Sequence, residues 1–129
     1  MADRKEGGIW WSVGGATARG AAHVRRDTPN QDAIGWLPRS EKAPAAALAV
    51  SDGHGSTRHF RSNFGSQFAV NAALDVLNDF LSRNVQSDAT RLNASAIELP
   101  MRVHEAWRAL VHRHLLANPT DGLETTDDR

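Results

Sequence analysis

The order of apolar and polar positions predicts three short strands followed by two helices. A loose alternation over residues 8–18 predicts the first strand. Short apolar runs at 33–37 and 45–51, each bounded by turn-forming residues, predict the second and third strands. The stretch 20–32 is predicted to be irregular because Pro29 blocks a helix. Residues 38–44, between two prolines, are typical of a polar hairpin loop.

Large apolar side chains then recur at helical spacing in two segments. The first helix begins near Ser62, a suitable N-cap. Its core stripe is Phe64, Phe68, Ala72, Val76 and Phe80, widened by Ala69, Ala73 and Leu77. The second has the stripe Val103, Trp107, Leu110, Val111 and His114-Leu115, with Pro100 in its first turns or at a kink. Between them, 84–90 is predicted to be a polar loop. Residues 1–8 are predicted to form an N-terminal arm, 9–118 the folded part, which the resemblance described below makes the N-terminal half of a domain, and 119–129 a mobile acidic tail.

Composition narrows the function classes. The chain has 129 residues, enough for one domain, and its fifteen basic and fifteen acidic residues cancel. A balanced charge provides no general attraction to nucleic acid or to a membrane surface. The chain has no cysteine, which excludes disulfides and cysteine-based zinc sites. No apolar run is long enough for a signal peptide or a membrane span, so a cytoplasmic location is expected.

Two acidic turns carry the candidate chemistry. Residues 50–55, VSDGHG, follow the third predicted strand, and residues 30–33, NQDA, precede the second. Together they would present carboxylates, a backbone carbonyl and an imidazole at the ends of strands, which suits hard divalent cations. Simpler interpretations stay open: Asp52 as a turn former, Asp32 as an N-cap or Asx-turn, and His54 as a residue that orders the loop.

These two motifs, followed by the start of a helix that contains Ser and Gly, resemble the metal-dependent protein phosphatases of type 2C. The resemblance implies an α+β fold, an α-β-β-α sandwich of two antiparallel sheets packed face to face with flanking helices. It covers the N-terminal half of that fold, so the chain is expected to be a fragment or a natural truncation. Further metal-binding aspartates are then expected from a second half; Asp121 and Asp127-Asp128 are weak candidates within this chain.

The resemblance also implies roles for individual residues around a site for two Mg²⁺ or Mn²⁺ ions. Asp52 matches the bridging carboxylate, the Gly53 carbonyl a backbone ligand, and Asp32 a second acidic position that acts through metal-bound water. His54 matches the general acid for the leaving oxygen. Arg25 or Arg26 would clamp the substrate phosphate, although neither lies at the usual offset before Asp32. Two positions depart from the pattern: Gln31 stands where many relatives have Glu, and Ser56 where a second Gly is common.

The function expected at the level of the family is therefore hydrolysis of phosphoserine or phosphothreonine in proteins by a metal-activated water. This chain alone is expected to be incomplete and inactive. A phosphorylated protein substrate and a cognate serine/threonine kinase are the expected partners. The alternative is a truncated, non-catalytic phosphatase-like module that binds a partner. A zinc hydrolase built from Asp52, His54 and His59 is a weaker hypothesis, because the two histidines lack helical i, i+4 spacing.

Overall fold

The computed structural model describes residues 8–55, 59–83 and 89–119. Its elements in chain order are α1 (Ala21–Arg25), β1 (Ala33–Leu37), β2 (Ala47–Ser51), α2 (Ser62–Arg83) and α3 (Ala89–Ala117). The fold is thus α+β. The sheet packs against α2, and α3 packs against the same helix. The long second helix is therefore the central layer of the described structure.

β1 and β2 form an antiparallel pair whose register runs from Ala33 opposite Ser51 to Leu37 opposite Ala47. Because side chains alternate along a strand, one face carries Ala33, Gly35, Leu37, Ala47 and Ala49. This face packs against Val70 and Leu74 of α2, which form the buried core together with its alanines. Gly35 permits the close approach, since a Cβ there would lie 2.7 Å from Leu74 Cδ1 and 2.8 Å from Val70 Cγ1.

The helix α2 has two packed faces, and the sequence indicated mainly one of them. Phe64 and Phe68 contact the ring of His114 on α3, with ring centroids 4.6 and 5.4 Å away. The sheet is covered by Val70, Leu74 and Leu81, which the predicted stripe lacked, together with Ala73 and Leu77, which it included. The predicted stripe was therefore correct as helical periodicity, but Phe64 and Phe68 face α3, while the small residues of the sheet pack against aliphatic side chains at short range.

An ion pair fastens α3 to α2 beside Pro100, which lies inside α3 rather than in its first turn. Arg102 Nη2 lies 2.7 Å from Asp79 Oδ2, and Arg83 Nη2 lies 2.8 Å from Asp79 Oδ1. The hydrogen bond from Arg102 is the largest cause that lowers the pKa of Asp79, while partial burial of the carboxylate acts in the opposite direction. The same bond raises the pKa of Arg102.

Several predicted elements need correction. The first strand is wrong: within 8–18 the structure has a single β-bridge, between Trp11 and Ala43. The third strand begins at Ala47, two positions later than predicted. The stretch predicted to be irregular contains α1, which ends before Pro29 and so escapes its effect. Residues 89 and 90 of the predicted polar loop already belong to α3. The strand at 33–37 and the helix start near Ser62 are confirmed.

The predicted face-to-face sandwich remains a prediction, because the described residues contain one two-stranded sheet. Residues 1–7 and 120–129 lie outside the described part of the chain, as do Ser56 and the tail aspartates Asp121, Asp127 and Asp128. Among the described residues, no helix combines the length and the apolar character needed to cross a lipid bilayer.

Candidate functional site

The strand register brings the two acidic turns together. Asp32 stands immediately before β1 and Asp52 immediately after β2. The last pair of the ladder is Ala33 with Ser51, so the next opposed pair in the same register is Asp32 with Asp52. Opposed residues of an antiparallel pair share one face of the sheet. Two carboxylates that are far apart in sequence thus become neighbours at one end of the sheet.

A hydrogen bond joins the two turns directly. The backbone N–H of Gly53 donates to Asp32 Oδ1 at 3.1 Å, and the N–H of Asp32 donates to Asn30 Oδ1 at 3.2 Å. The side chain that forms the local Asx-type contact is therefore Asn30, while the Asp32 carboxylate reaches across to the other turn. Gly53 is required sterically, because a Cβ at this position would overlap the carbonyl oxygen of Gln31.

The chemistry of these donors fits a hard divalent cation as part of its coordination shell. Asp32 and Asp52 are both exposed, and Asp52 has neither a hydrogen bond nor an ion pair with another described residue. Carboxylate and carbonyl oxygens are the ligands that Mg²⁺ and Mn²⁺ prefer. The described residues include no group of three or more His, Cys, Asp or Glu side chains able to hold a metal ion. Asp32, Asp52 and the Gly53 carbonyl would thus supply a partial shell.

His54 is held at two points. Its backbone N–H donates to Ser62 Oγ at 2.5 Å, and its imidazole stacks on that of His59, with centroids 3.6 Å apart and an interplanar angle of 22°. Gly55 follows with a φ of 72°, a left-handed conformation that favours glycine. The exposed ring of His54 is therefore held within the second acidic turn by one backbone hydrogen bond and by stacking on His59. The hydroxyl of Ser62, predicted as a helix cap, is used by this loop.

Arg25 and Arg26 lie elsewhere. Both are exposed at the end of α1, and within the described residues neither forms an ion pair or a hydrogen bond with the acidic turns. A neighbouring cation, Arg19, pairs with Asp27 at 3.7 Å and donates to the carbonyl of Thr28 at 3.3 Å. The structure therefore assembles the predicted metal ligands with His54 and does not bring the two predicted phosphate-binding arginines to them.

A cavity of about 660 Å³ lies on the α2 side of the second acidic turn, between the turn and both long helices. Trp107 of α3 forms part of its wall, and the indole Nε1 donates to the carbonyl of Gly65 at 3.0 Å. Arg61, also in the wall, donates from Nη2 to the carbonyl of Asn118 at 2.6 Å. The first bond joins α3 to the first turn of α2, and the second joins the residue that precedes α2 to the residue that follows α3.

Comparison with known families gives a match to the model of protein phosphatase 2C over residues 19–126, which is most of the chain. The chain belongs to the protein phosphatase 2C family. No significant match is found among curated proteins or among solved structures. The resemblance inferred from residues 30–33 and 50–55 is thereby confirmed at the level of the family.

In this phosphatase 2C chain, two buried polar residues lie near the site: Gln31, noted above only as a departure from the family pattern, and Ser66, which no prediction included. Gln31 and Ser66 are each 4% exposed, and Ser66 Oγ donates to the backbone carbonyl of Gln31. The buried side-chain oxygen of Gln31 has no hydrogen-bond partner among the described residues. A signal for Ser66 did exist in the sequence. It stands one turn before Val70 on the sheet-facing stripe, where an apolar residue would be expected.

Proposed function

We propose that this phosphatase 2C chain contributes to a metal-dependent site that hydrolyses phosphoserine or phosphothreonine in proteins. The observation that carries the proposal is the bond from the Gly53 N–H to Asp32 Oδ1, in a register that opposes Asp32 and Asp52. This arrangement concentrates negative charge and oxygen donors at one exposed sheet end. Mg²⁺ or Mn²⁺, as a pair of ions, is the proposed cofactor; a phosphorylated protein and its cognate kinase are the proposed partners, in the cytoplasm.

Each proposed residue has a role that follows from its position. When bound, the cations supply neutralisation of the phosphate oxygens and acidification of a bound water. Asp52, exposed and unpaired with described residues, offers both carboxylate oxygens; Asp32 offers the one oxygen that Gly53 does not use. The His54 imidazole, in the loop two residues after Asp52, is the proposed donor of a proton to the leaving serine or threonine oxygen. Arg25 or Arg26 as phosphate ligands stay a prediction from the resemblance alone.

The first test is removal of the Asp52 charge with little change of shape. Asp52→Asn should weaken Mn²⁺ binding in a calorimetric titration. With the second half of the fold supplied, it should also lower turnover of a phosphothreonine peptide by several orders of magnitude, since most electrostatic stabilisation is lost. Asp75→Asn, an exposed carboxylate on α2, is the matched control and should change neither. Near-normal turnover by Asp52→Asn would exclude the bridging role.

The second test separates a proton donor from a residue that only orders the loop. A general acid contributes about 10²–10⁴-fold, mainly where the leaving group is poor. His54→Gln should therefore slow hydrolysis of an alkyl phosphate much more than that of an aryl phosphate. Equal losses on the two substrates would assign His54 a structural role.

A non-catalytic binding module is the second candidate, and one observation favours it. The described residues supply two carboxylates at the site and no larger metal-binding cluster. For such a module, the chain would bind a phosphothreonine peptide without turnover at saturating Mn²⁺, and Asp52→Asn would leave that affinity unchanged. Turnover that disappears in Asp52→Asn would reject this candidate.

A further inference from the structure

We propose that Ser66, together with Ser62, positions the two acidic turns relative to each other from the first two turns of α2. This inference rests on the proposed metal site, for which it names residues that act through the ligands without touching the ion. Positioning groups of this kind commonly control how well a metal site is formed, and their loss typically costs about 10–100-fold in metal affinity.

Ser66 is hydrogen-bonded to the first acidic turn. Its hydroxyl donates to the backbone carbonyl of Gln31, a contact between residues 35 positions apart, and lies 3.1 Å from the carbonyl of Asn63. Ser66 and Gln31 are both almost fully buried. The same Gln31 carbonyl is the atom that a Cβ at position 53 would meet first. The hydroxyl therefore fixes the surface against which the Gly53 turn rests.

Ser62 is hydrogen-bonded to the second acidic turn. Its Oγ accepts the backbone N–H of His54 at 2.5 Å. Ser62 and Ser66 are four positions apart and so lie on the same side of the helix, one turn above the other. One hydroxyl is thus attached on the Asp32 side and the other on the Asp52 side, and the rigid helix between them sets the distance.

Simple core packing does not explain a hydroxyl at position 66. From Val70 onward the sheet-facing stripe is aliphatic, as the contacts of Val70 and Leu74 with the sheet require. A buried serine there is expected only where a backbone group needs a partner, because a buried carbonyl that loses its hydrogen bond is unfavourable. The polar residues of this stripe, Ser62 and Ser66, lie in the first two turns of α2, and this is the end of the helix that contacts the acidic turns.

Ser66→Ala tests the inference without harming the helix, because alanine has the higher helix propensity. We expect the Mn²⁺ dissociation constant to rise by about 10–100-fold. In the metal-free chain, we expect the amide resonances of Asp32 and Gly53 to shift and the Gly53 N–H to exchange faster with solvent. Ser66→Thr keeps the hydroxyl and should recover much of the affinity. Ser82→Ala is the control, since Ser82 Oγ bonds Asn78 O at 2.7 Å on the exposed side of the same helix.

Unchanged Gly53 exchange and unchanged Mn²⁺ affinity in Ser66→Ala would overturn the inference, as would an equal effect of Ser82→Ala. The metal-free exchange measurement separates this inference from the proposed function. If the parent chain fails to bind Mn²⁺ but Ser66→Ala still frees the Gly53 amide, the positioning role stands and the metal proposal fails. If Ser66→Ala does not fold, the Ser62→Ala variant provides the test. We expect it to change the chemical shift of the His54 amide and to accelerate its hydrogen exchange. An unchanged His54 amide would refute the inference.

Discussion

The two faces of the sheet carry opposite kinds of side chain. The face against α2 holds small residues, among them Ala33, Gly35, Ala47 and Ala49, and these are buried or nearly so. The other face holds large ones: Ile34, Trp36, Leu48 and Val50. Leu48 is 66% exposed and Val50 is 76% exposed. On β2, small side chains are thus buried and large ones exposed, whereas on β1 Ile34 and Trp36 are half-buried.

This contrast indicates which kind of packing partner each face of the sheet can accommodate. Small residues let the helix approach closely, so that Val70 and Leu74 fill the space that larger strand residues would occupy. On β1 the face with large side chains is partly covered by the segment around Gly15, since a Cβ at Gly15 would lie only 3.0 Å from Ile34 Cδ1. On β2 the same face is exposed to solvent. Branched residues aligned on one face are typical of a sheet that packs against another layer, as the phosphatase 2C resemblance implies. Asp32 and Asp52 continue the large, open face.

The largest expected effect on stability comes from truncating a leucine at the packed face of the sheet, with a leucine on the open face as the comparison. Leu74→Ala should lower the free energy of unfolding by about 2–5 kcal/mol, because it leaves a cavity under the small face. Leu48→Ala should change it by less than about 0.5 kcal/mol, because its side chain is exposed. Urea unfolding followed by circular dichroism measures both. A comparable loss in the two variants would show that the open face is buried in solution.

Adding a methyl group instead of removing one gives the next effect. Gly35→Ala should cost about 1–3 kcal/mol, since the new Cβ overlaps Leu74 and Val70. Gly14→Ala is the matched control: its Cβ would meet nothing within 4 Å, so we expect no change or a gain of up to about 1 kcal/mol. If Gly35→Ala unfolds at the same urea concentration as the parent, the close approach of helix and sheet is not required.

A charge on the open face tests its exposure in another way. Val50→Lys should leave the free energy of unfolding within about 0.5 kcal/mol of the parent, while weakening self-association, because exposed apolar patches promote contacts between molecules. Sedimentation velocity over a range of protein concentrations measures the association. Strong destabilisation by the lysine would contradict an open face on β2.

The smallest effect concerns the ion pair in the α2–α3 layer. Because Arg102 lowers the pKa of Asp79, the pair stabilises the folded state above the ordinary carboxyl pKa, and this contribution disappears as the pH falls through the lower folded value. Asp79→Asn should therefore be slightly less stable than the parent near neutral pH, and the difference should vanish in strong acid. Thermal unfolding over a pH series checks this. A difference that grows toward acid would reverse the assignment.

The amount that the sequence could predict differed from element to element. The run at 33–37 was confirmed as a strand because its length, its apolar character and the adjacent Pro38 all agree. The alternation over 8–18 failed as a strand, since alternation alone supplies no partner for the backbone; what forms is one bridge from Trp11 to Ala43. Helical periodicity revealed α2 but could not say which stripe meets the sheet and which meets α3.

The sequence by itself determined the family, through residues 30–33 and 50–55, and the candidate ligands Asp32, Asp52 and Gly53, because these are local patterns of residue type. Only the tertiary structure decided that Asp32 opposes Asp52, that Gly53 rests on the carbonyl of Gln31, and that Ser66 holds this carbonyl. The physical reason is that these contacts join segments distant in the chain. Their geometry depends on strand register and on how closely α2 approaches the sheet, and neither is encoded in local spacing.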